Sequence, residues 1–582
     1  MVSCMMHEPY YRSGVFTNEY LNISAGWVSI KNSFADCMPV VNRKKDLILI
    51  YAGENFVDAG NNIDFNDKAK GAPFTNAQYL IDQYEAQGED FVANLNGWFS
   101  GILIDLQKGR VLIFNDRYGL NRIYCHRNKD ELLFASEAKA LLKVRRELRQ
   151  IDEHSLGEYF AFGCVLNPKT LFNKVEVLPG GSLWIWGKSG KLKKNKYFKP
   201  HDWERQEALH GSTFYAQLKS TFEKILPRYF HSCQQVGISL TGGLDTRAIL
   251  SYRHIRAGSI PCYTFGGLYR DCHDVKVARR IANLLGQSHT TLQLGENFFR
   301  NFVSLAEKTI YISDGCHDLC GAHDLYFSKL ARKIAPIRLT GKFGSEVLRG
   351  ASTFKALKLD KRLFDEELNR FIERAEGIYR KKSLGEKLTF TCFEDIPNHE
   401  YGRLSVEQSQ LGFRTPYMDN DLIKLLFRAP QRLKNDKAIT LRLIHDLNPE
   451  LLDIPTDLGF SRDQTIYSQL IRFNRLFSFK AEWYFNEGMP HWLSRLTAHG
   501  LSRFEQRILG THKIEHYRKW LKEKLAGYIR SVLLDERTRQ RPFFNGPYLE
   551  KITERHLLGK GNYIKEISKA VTIELIYQQL IE

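Results

Sequence analysis

The chain has 582 residues, 43% of them hydrophobic, with 84 basic against 66 acidic side chains and a net charge of +18. The length implies two large domains or more, and the apolar content is that of an ordinary globular protein. Met1 to Glu8 has no basic flank and no long apolar core, which excludes a signal peptide, and no apolar run approaches the length of a membrane helix. The positive charge suits nucleic acid or an acidic surface as readily as it suits anionic substrates, so charge alone selects neither. The ten cysteines are scattered with no C-x-x-C pair, the pattern of reduced thiols in a cytoplasmic chain.

In chain order, Leu47 to Tyr51 reads as a strand ending at Ala52-Gly53-Glu54-Asn55. Asn96 to Asp105 and Val111 to Leu120 read as two more, and Leu132 to Ala138 as the opening of a helix. Short strands with turns between them, and few helices, predict stacked sheets. The next unit is Val236 to Leu250. Val236, Ile238 and Leu240 alternate with small residues, the period of a buried strand. Gly242 and Gly243 allow a sharp turn and a close approach of backbone to ligand. A helix opening near Asp245 would point free N–H groups back into that turn, which suits an anion, and Thr241 and Thr246 add hydroxyl donors. Asp245 would repel a bare phosphate, and makes sense if a divalent cation sits between the two. The local expectation is a nucleotide site with a magnesium-bound pyrophosphate. A Gly-Gly turn between strand and helix is common, so an ordinary structural turn stays open on this stretch alone. No lysine follows the glycines, so it is not the G-x-x-x-x-G-K-S/T loop.

Cys262 to Gly267 is a second strand and turn. Asp274 to Leu285 reads as an amphipathic helix with Val277, Ile281, Leu284 and Leu285 on one face, stopped by Gly286. Strand–helix alternation indicates a parallel sheet with ligands at the strand ends. In Cys316-His317-Asp318-Leu319-Cys320 the two cysteines would share a helix face suited to zinc; with no second cluster nearby, a packed helix is favoured. Ile337 to Gly350 is a further strand and glycine turn. From about residue 463 to 540 the chain is rich in basic and aromatic residues: Arg472, Phe473, Arg475, Phe477, Phe479, Lys480, Trp483 and Tyr484. Such a mixture occurs at nucleic-acid faces but is more often a helical surface with an apolar stripe, and it reads as an interaction or specificity insert. Tyr548 to Leu580 reads as one or two amphipathic helices.

Several of these words resemble those of the asparagine synthetase family. Thr241-Gly242-Gly243-Leu244-Asp245-Thr246 resembles the S-G-G-x-D-S pyrophosphate loop of ATP pyrophosphatases, with threonine at both serine positions. Leu95-Asn96-Gly97-Trp98-Phe99, Asp116-Arg117-Tyr118-Gly119, Phe134-Ala135-Ser136-Glu137 and Leu178-Pro179-Gly180-Gly181 follow the order and spacing of the family's glutaminase domain. Phe413 to Asp419 matches its R-x-P-F-L-D word and Lys437 to Leu443 the helix after it. The resemblance covers almost the whole chain. It implies an α/β protein: an αββα sandwich of two antiparallel sheets in residues 1–205, and in 206–582 a parallel-sheet ATP-pyrophosphatase domain with a helical C-terminal part. It also implies ATP and Mg2+, with Leu240 and Phe265 against the adenine, Thr241, Gly242, Gly243, Thr246, Thr340 and Gly341 in the nucleotide loops, and Asp245 on the metal.

The departures are as informative as the matches. The family's nucleophile is a cysteine directly after the initiator methionine; Val2 holds that place and Cys4 is displaced. Its Asn-Gly-Glu becomes Ala52-Gly53-Glu54, which removes a side-chain oxyanion donor worth roughly two to three orders of magnitude in comparable sites. Its Ser-Asp becomes Thr75-Asn76. These losses predict a domain that does not hydrolyse glutamine. In the second nucleotide motif, S-G-E-G-S-D-E-x-x-G-G, Lys342 replaces a position tied to the reacting centre and Ser345 an aspartate that binds magnesium, while Glu346 is retained. Lys342 and Glu346 are the candidate catalytic residues. Asp457 stands near the place of a family lysine. The resemblance implies an ATP-dependent ligase that adenylates a small-molecule or peptide carboxylate. Its amine would come from free ammonia, a partner protein or the substrate itself, and a homodimer is compatible. Two alternatives stay open: a non-catalytic scaffold, favoured by Ser345 and Asp457, and a pyrophosphate-loop enzyme acting on tRNA. The charge favours the second and the N-terminal sandwich opposes it, so no nucleic-acid partner is expected.

Overall fold

The computed structural model describes every residue except 59–75, 130, 167, 189, 353, 434–436, 463–464, 492–493, 495–504 and 506. In the N-terminal half a six-stranded antiparallel sheet runs, edge to edge, through Leu192–Lys196, Ser182–Gly187, Arg110–Asn115, Phe99–Asp105, Leu47–Gly53 and Val40–Val41. A three-stranded antiparallel sheet of Leu132–Ala135, Tyr124–Arg127 and Glu176–Val177 packs against it, with a hairpin of Tyr11–Asn18 and Ile23–Ile30 beside it. Side-chain alternation along each strand sorts the layers. Leu47, Leu49 and Tyr51 pack with Leu80, Tyr84, Phe91 and Val92 of the outer helices. Ile48 and Ile50 face the other way and pack with Ile123, Cys125 and Ala25 between the sheets. Tyr124, on the opposite face from Cys125, packs with Ala138, Leu141 and Leu156 of helices Ala138–Val144 and Glu153–Phe162. The outcome is helix, sheet, sheet, helix, the implied sandwich. One element differs from the sequence reading. Leu132–Ala135 is a strand paired with Tyr124–Arg127, and helix begins only at Ala138. An apolar run of that length cannot be assigned by periodicity, and ladder pairing satisfies its backbone groups.

The C-terminal half is built on a five-stranded parallel sheet in the order His289–Gln293, Cys262–Gly266, Val236–Ser239, Ile337–Thr340 and Gly412–Arg414. The strands Val236–Ser239 and Ile337–Thr340 are buried throughout, as a sheet covered on both faces requires. Helix Gly211–Phe230 lays Phe214, Leu218, Phe222, Ile225 and Leu226 on one side of it. Helix His273–Leu284 buries Val275, Val277, Ala278, Ile281 and Ala282. Leu284 is 43% exposed, because the buried face is turned toward Ala278 and Ala282 rather than toward Leu284. Gly286 follows with φ 63°.

Helix Ile564–Ile576 is buried on all sides save at Lys565, and it runs through the core that joins the halves, with Leu156 and Phe160 on one side and Leu319 and Leu325 on the other. The basic, aromatic region divides in two. Trp520, Leu521, Ile529 and Leu533 enter this same core. Helix Ile466–Trp483 buries only Glu482 and leaves Ile466, Tyr467, Leu470, Phe473 and Phe477 more than half exposed. No helix among the described residues is long and apolar enough to cross a membrane.

The motif words of the two halves meet. Trp98 stacks on Phe413 with ring centroids 5.7 Å apart. Asn96 Nδ2 donates to Asp419 (2.9 Å), and the Asn420 N–H donates to Asn96 Oδ1 (3.0 Å). Arg228 pairs with Asp419 at 2.9 Å.

Candidate active site

Strands Val236–Ser239 and Ile337–Thr340 are hydrogen-bonded neighbours with Ser239 opposite Thr340. The loops that leave their C-terminal ends, Leu240–Thr246 and Gly341–Glu346, therefore emerge side by side. Two glycines let them nest. A Cβ on Gly341 would lie 2.5 Å from the Thr246 nitrogen, and one on Gly344 would lie 2.6 Å from the Asp245 carboxyl carbon. Phe343 takes a left-handed backbone with φ 71°, strained for a bulky residue. Its ring is buried and packs against Trp98 of the other half at 6.1 Å, which holds it there. Thr241, Gly242, Gly243, Asp245, Thr246, Thr340, Gly341, Lys342 and Glu346 are thus brought into one neighbourhood. Leu240 and Phe265 lie beside it at the strand ends. The Leu240 backbone is engaged: its N–H donates to Tyr263 O (2.8 Å) and its carbonyl accepts from Thr264 Oγ1 (2.7 Å). Phe265 stacks on Phe327 at 4.5 Å, with the Arg338 guanidinium 5.0 Å from its ring centre.

Side chains set the charge here, because the helix after the first loop, Asp245–Leu250, is short and its dipole correspondingly weak. Arg349, the last residue of Gly344–Arg349, grips both oxygens of Asp245, at 2.6 and 2.9 Å. Burial still pushes the Asp245 carboxyl above its usual range. Lys342 pairs with Glu400 at 2.9 Å. Burial opposes the charge on Glu400, but Lys342 and Arg403 outweigh it and hold that carboxyl at about 2. Ser345 Oγ donates to Glu346 (2.9 Å), whose carboxyl burial pushes up.

Two acids crowd Gly242. Its N–H donates to Asp274 Oδ1 (2.7 Å), and its carbonyl accepts from the Asp457 N–H (3.2 Å). Burial foremost, and then the charge of Asp457, push Asp274 up to about 7. Beneath the turn the fully buried Arg247 donates to the carbonyls of Leu451 (2.8 Å), Ile454 (2.5 Å) and Gly242 (3.3 Å).

Arg349, Asp274 and Arg247 escaped the sequence reading. For Arg349 a signal was present, since it occupies a glycine of the S-G-E-G-S-D-E-x-x-G-G pattern. As arranged, these donors do not fit a magnesium ion. Both oxygens of Asp245 are held by Arg349, and the Ser345 hydroxyl is turned onto Glu346. The Cys316–Cys320 segment packs by other means. His317 pairs with Asp324 (2.9 Å), Asp318 with Lys569 (2.9 Å), and burial pushes both thiols up.

A cavity of about 540 Å³ opens between the two halves, with Ala52, Gly53, Asn121, Tyr401 and Phe413 in its wall. Glu54 also lines it, but Arg414 holds both its oxygens, at 2.8 and 2.9 Å. The wall includes Met5 and His7 and not Cys4. The Cys4 thiol donates to Met1 O (2.9 Å), and burial, stronger than the pull of Lys139, pushes it up rather than toward a reactive thiolate. Asp116 shapes a turn by accepting from the N–H groups of Tyr118, Leu120 and Asn121. Asn76 Oδ1 accepts from Gln78 N (3.0 Å), and Thr75 lies outside the described residues.

Residues 6–198 match the family model of a glutamine amidotransferase domain, and residues 217–393 that of asparagine synthase. The chain is 20% identical to the glutamine-hydrolyzing asparagine synthetase 1 of Bacillus subtilis, over 97% of this chain and 91% of that protein. It is 23% identical to the putative glutamine-hydrolyzing asparagine synthetase 2 of Methanocaldococcus jannaschii, over 53% of this chain and 60% of that one. It is 22% identical to the glutamine-hydrolyzing asparagine synthetase B of Escherichia coli, over 51% and 52%. The chain thus spans little more than half the length of the last two.

Proposed function

The chain belongs to the asparagine synthetase family, and from that premise we propose that it adenylates a substrate carboxylate with ATP and joins the acyl group to an amine that its own glutamine site does not supply. The observation that carries this reading is the nesting of the Leu240–Thr246 and Gly341–Glu346 loops at neighbouring parallel strand ends, the place where such sheets bind ligands.

A carboxylate is a poor electrophile, and adenylation makes it a good one. One carboxylate oxygen attacks the α-phosphorus of ATP; the bond to the β-phosphate bridging oxygen breaks and pyrophosphate leaves. The amine then attacks the acyl carbon, the C–N bond forms, and AMP departs with the electron pair of the C–O bond. One amine proton is lost to a base. In this scheme the hydroxyls of Thr241 and Thr246 and the backbone of Gly243 and Gly341 surround the phosphates, with Leu240 and Phe265 beside the adenine. Lys342 lies over Phe343 and Phe413 and is braced by Glu400. It sets positive charge where negative charge grows on the acyl oxygen. Glu346, its carboxyl pushed up by burial, is the better base for that displacement and is assigned to take the amine proton. The donors do not fit a magnesium ion, and no step passes through one.

Two findings support an external amine. Arg414 already holds the Glu54 carboxylate, and the Cys4 thiol lies off the cavity wall and is pushed away from its reactive form. The amine then comes from free ammonia, a partner protein or the substrate.

The test is pyrophosphate and AMP release from ATP over a panel of carboxylic acids, with ammonia, hydroxylamine or glutamine as nitrogen source. Release with at least one acid, a hydroxamate with hydroxylamine, and no support from glutamine are expected. A chain that binds no ATP sinks the ligase reading in favour of a scaffold, which the acids around Gly242 would then explain. Glutamate release from glutamine that vanishes in Cys4→Ala would overturn the external amine.

A further inference from the structure

We infer that Arg349 takes the place of a divalent cation at the pyrophosphate loop, so that the loop binds the polyphosphate of ATP without a metal on Asp245. The inference rests on the reading of that loop as a nucleotide site.

A carboxylate inside an anion site must be neutralised, either by a metal ion or by a cationic side chain. Here the second solution is built. The planar fork of Arg349 meets Asp245 oxygen for oxygen, at 2.6 and 2.9 Å, with the two side chains 12% and 19% exposed. That is the geometry of the strongest charge-assisted pairs, and a guanidinium keeps its charge at every working pH. Asp245 is not free to turn away: Gly344 lies against its carboxyl carbon, and Tyr417 donates to its carbonyl at 2.7 Å. A metal arriving at Asp245 would have to displace the fork and then stand beside the freed guanidinium, cation against cation. It would also find a hydroxyl at Ser345, already turned onto Glu346.

What distinguishes Arg349 from a purely structural arginine is what it leaves over. Of the five N–H groups of a guanidinium, two go to Asp245, and among the described residues Asp245 is its only hydrogen-bond partner. Three N–H groups remain beside the turn formed by Thr241 to Thr246. A phosphate oxygen there would meet donors on a charge whose counterion is already in place.

The experiment is calorimetric titration of the full chain with ATP and with inorganic pyrophosphate, once in Mg2+ and once in EDTA. Wild-type affinities within about threefold of each other in the two buffers are expected. Arg349→Ala should weaken metal-free binding by about tenfold or more, the worth of one hydrogen bond to a charged group, and should make binding depend on Mg2+ through the freed Asp245. Arg349→Lys, which keeps the charge without the fork, should fall between the two. Near-ultraviolet dichroism of each variant checks its fold, and the wild-type comparison needs no variant. Wild-type binding that appears only with Mg2+ and is lost in Asp245→Asn would overturn the inference while leaving the nucleotide reading intact. Binding in neither buffer removes both.

Discussion

Two carboxylates from the family's motif words, Glu54 and Asp245, are each gripped at both oxygens by an arginine, with nearly the same distances. The two pairs do different work because of what else each arginine touches. Arg414 also donates to the carbonyls of Tyr229 (3.0 Å) and His231 (2.8 Å), so four of its five N–H groups are engaged, and its pair with Glu54 ties the C-terminal half to the N-terminal half. Arg349 makes no other hydrogen bond among the described residues and stays within one pair of loops. The first pair is a seam between the halves, and the second is the one inferred above to serve a ligand. Identity of the pair therefore says little about function; the remaining hydrogen-bonding capacity of the arginine says more.

That contrast can be broken by mutation. Arg414→Met should destabilise the chain by about 3 kcal/mol, since it strands Glu54 and two carbonyls at a buried contact, and Glu54→Gln in the same chain should restore most of it. Arg349→Met should cost less, about 2 kcal/mol, since it strands a carboxylate as little exposed as Glu54 but no backbone carbonyls. Urea unfolding of the variants decides. Equal losses at the two sites would dissolve the distinction.

A pH effect sharpens it on the loop side. Asp274 keeps its proton up to about pH 7 in the fold, through burial and then Asp457, whereas in an unfolded chain an aspartate loses it near pH 4. Between those limits the unfolded chain releases a proton that the folded chain holds, so stability falls as pH rises, by roughly 2 to 3 kcal/mol from pH 5 to pH 8. Asp274→Asn should flatten that slope in urea melts at the two pH values; an unchanged slope would clear Asp274 of the effect. Smallest of all is the exposed helix Ile466–Trp483. Phe473→Glu with Phe477→Glu should shift stability by less than about 0.5 kcal/mol, because both rings already stand in water. A larger loss would mean that this face is covered in the folded state.

Much of the architecture was legible in the chain. The alternation of Val236, Ile238 and Leu240, the glycine turns and the motif words in order pointed to the sandwich and the parallel sheet. The misreadings have local causes. Leu132–Ala135 is too short for its period to speak, and Leu284 falls at the margin of a face set by two alanines. The two loops were legible as strand-end turns, and the structure places them side by side; their charge balance was not legible. Arg349 was visible as a departure from a glycine, yet the motif directs attention to missing acids rather than to an added cation. Asp274, 32 residues from Gly242, carries no mark of its role in a helix that also needed a polar first turn.

Alone, the sequence determined which segments become strand, turn and helix, and which family they resemble, because periodicity and turn chemistry act over a few neighbouring residues. Only the tertiary structure decided which charge neutralises which. Asp245 and Arg349 are 104 positions apart and Glu54 and Arg414 are 360 apart. A charge–charge contact acts over a few ångströms of space, and chain separation on that scale says nothing about it until the sheet has brought its loops together.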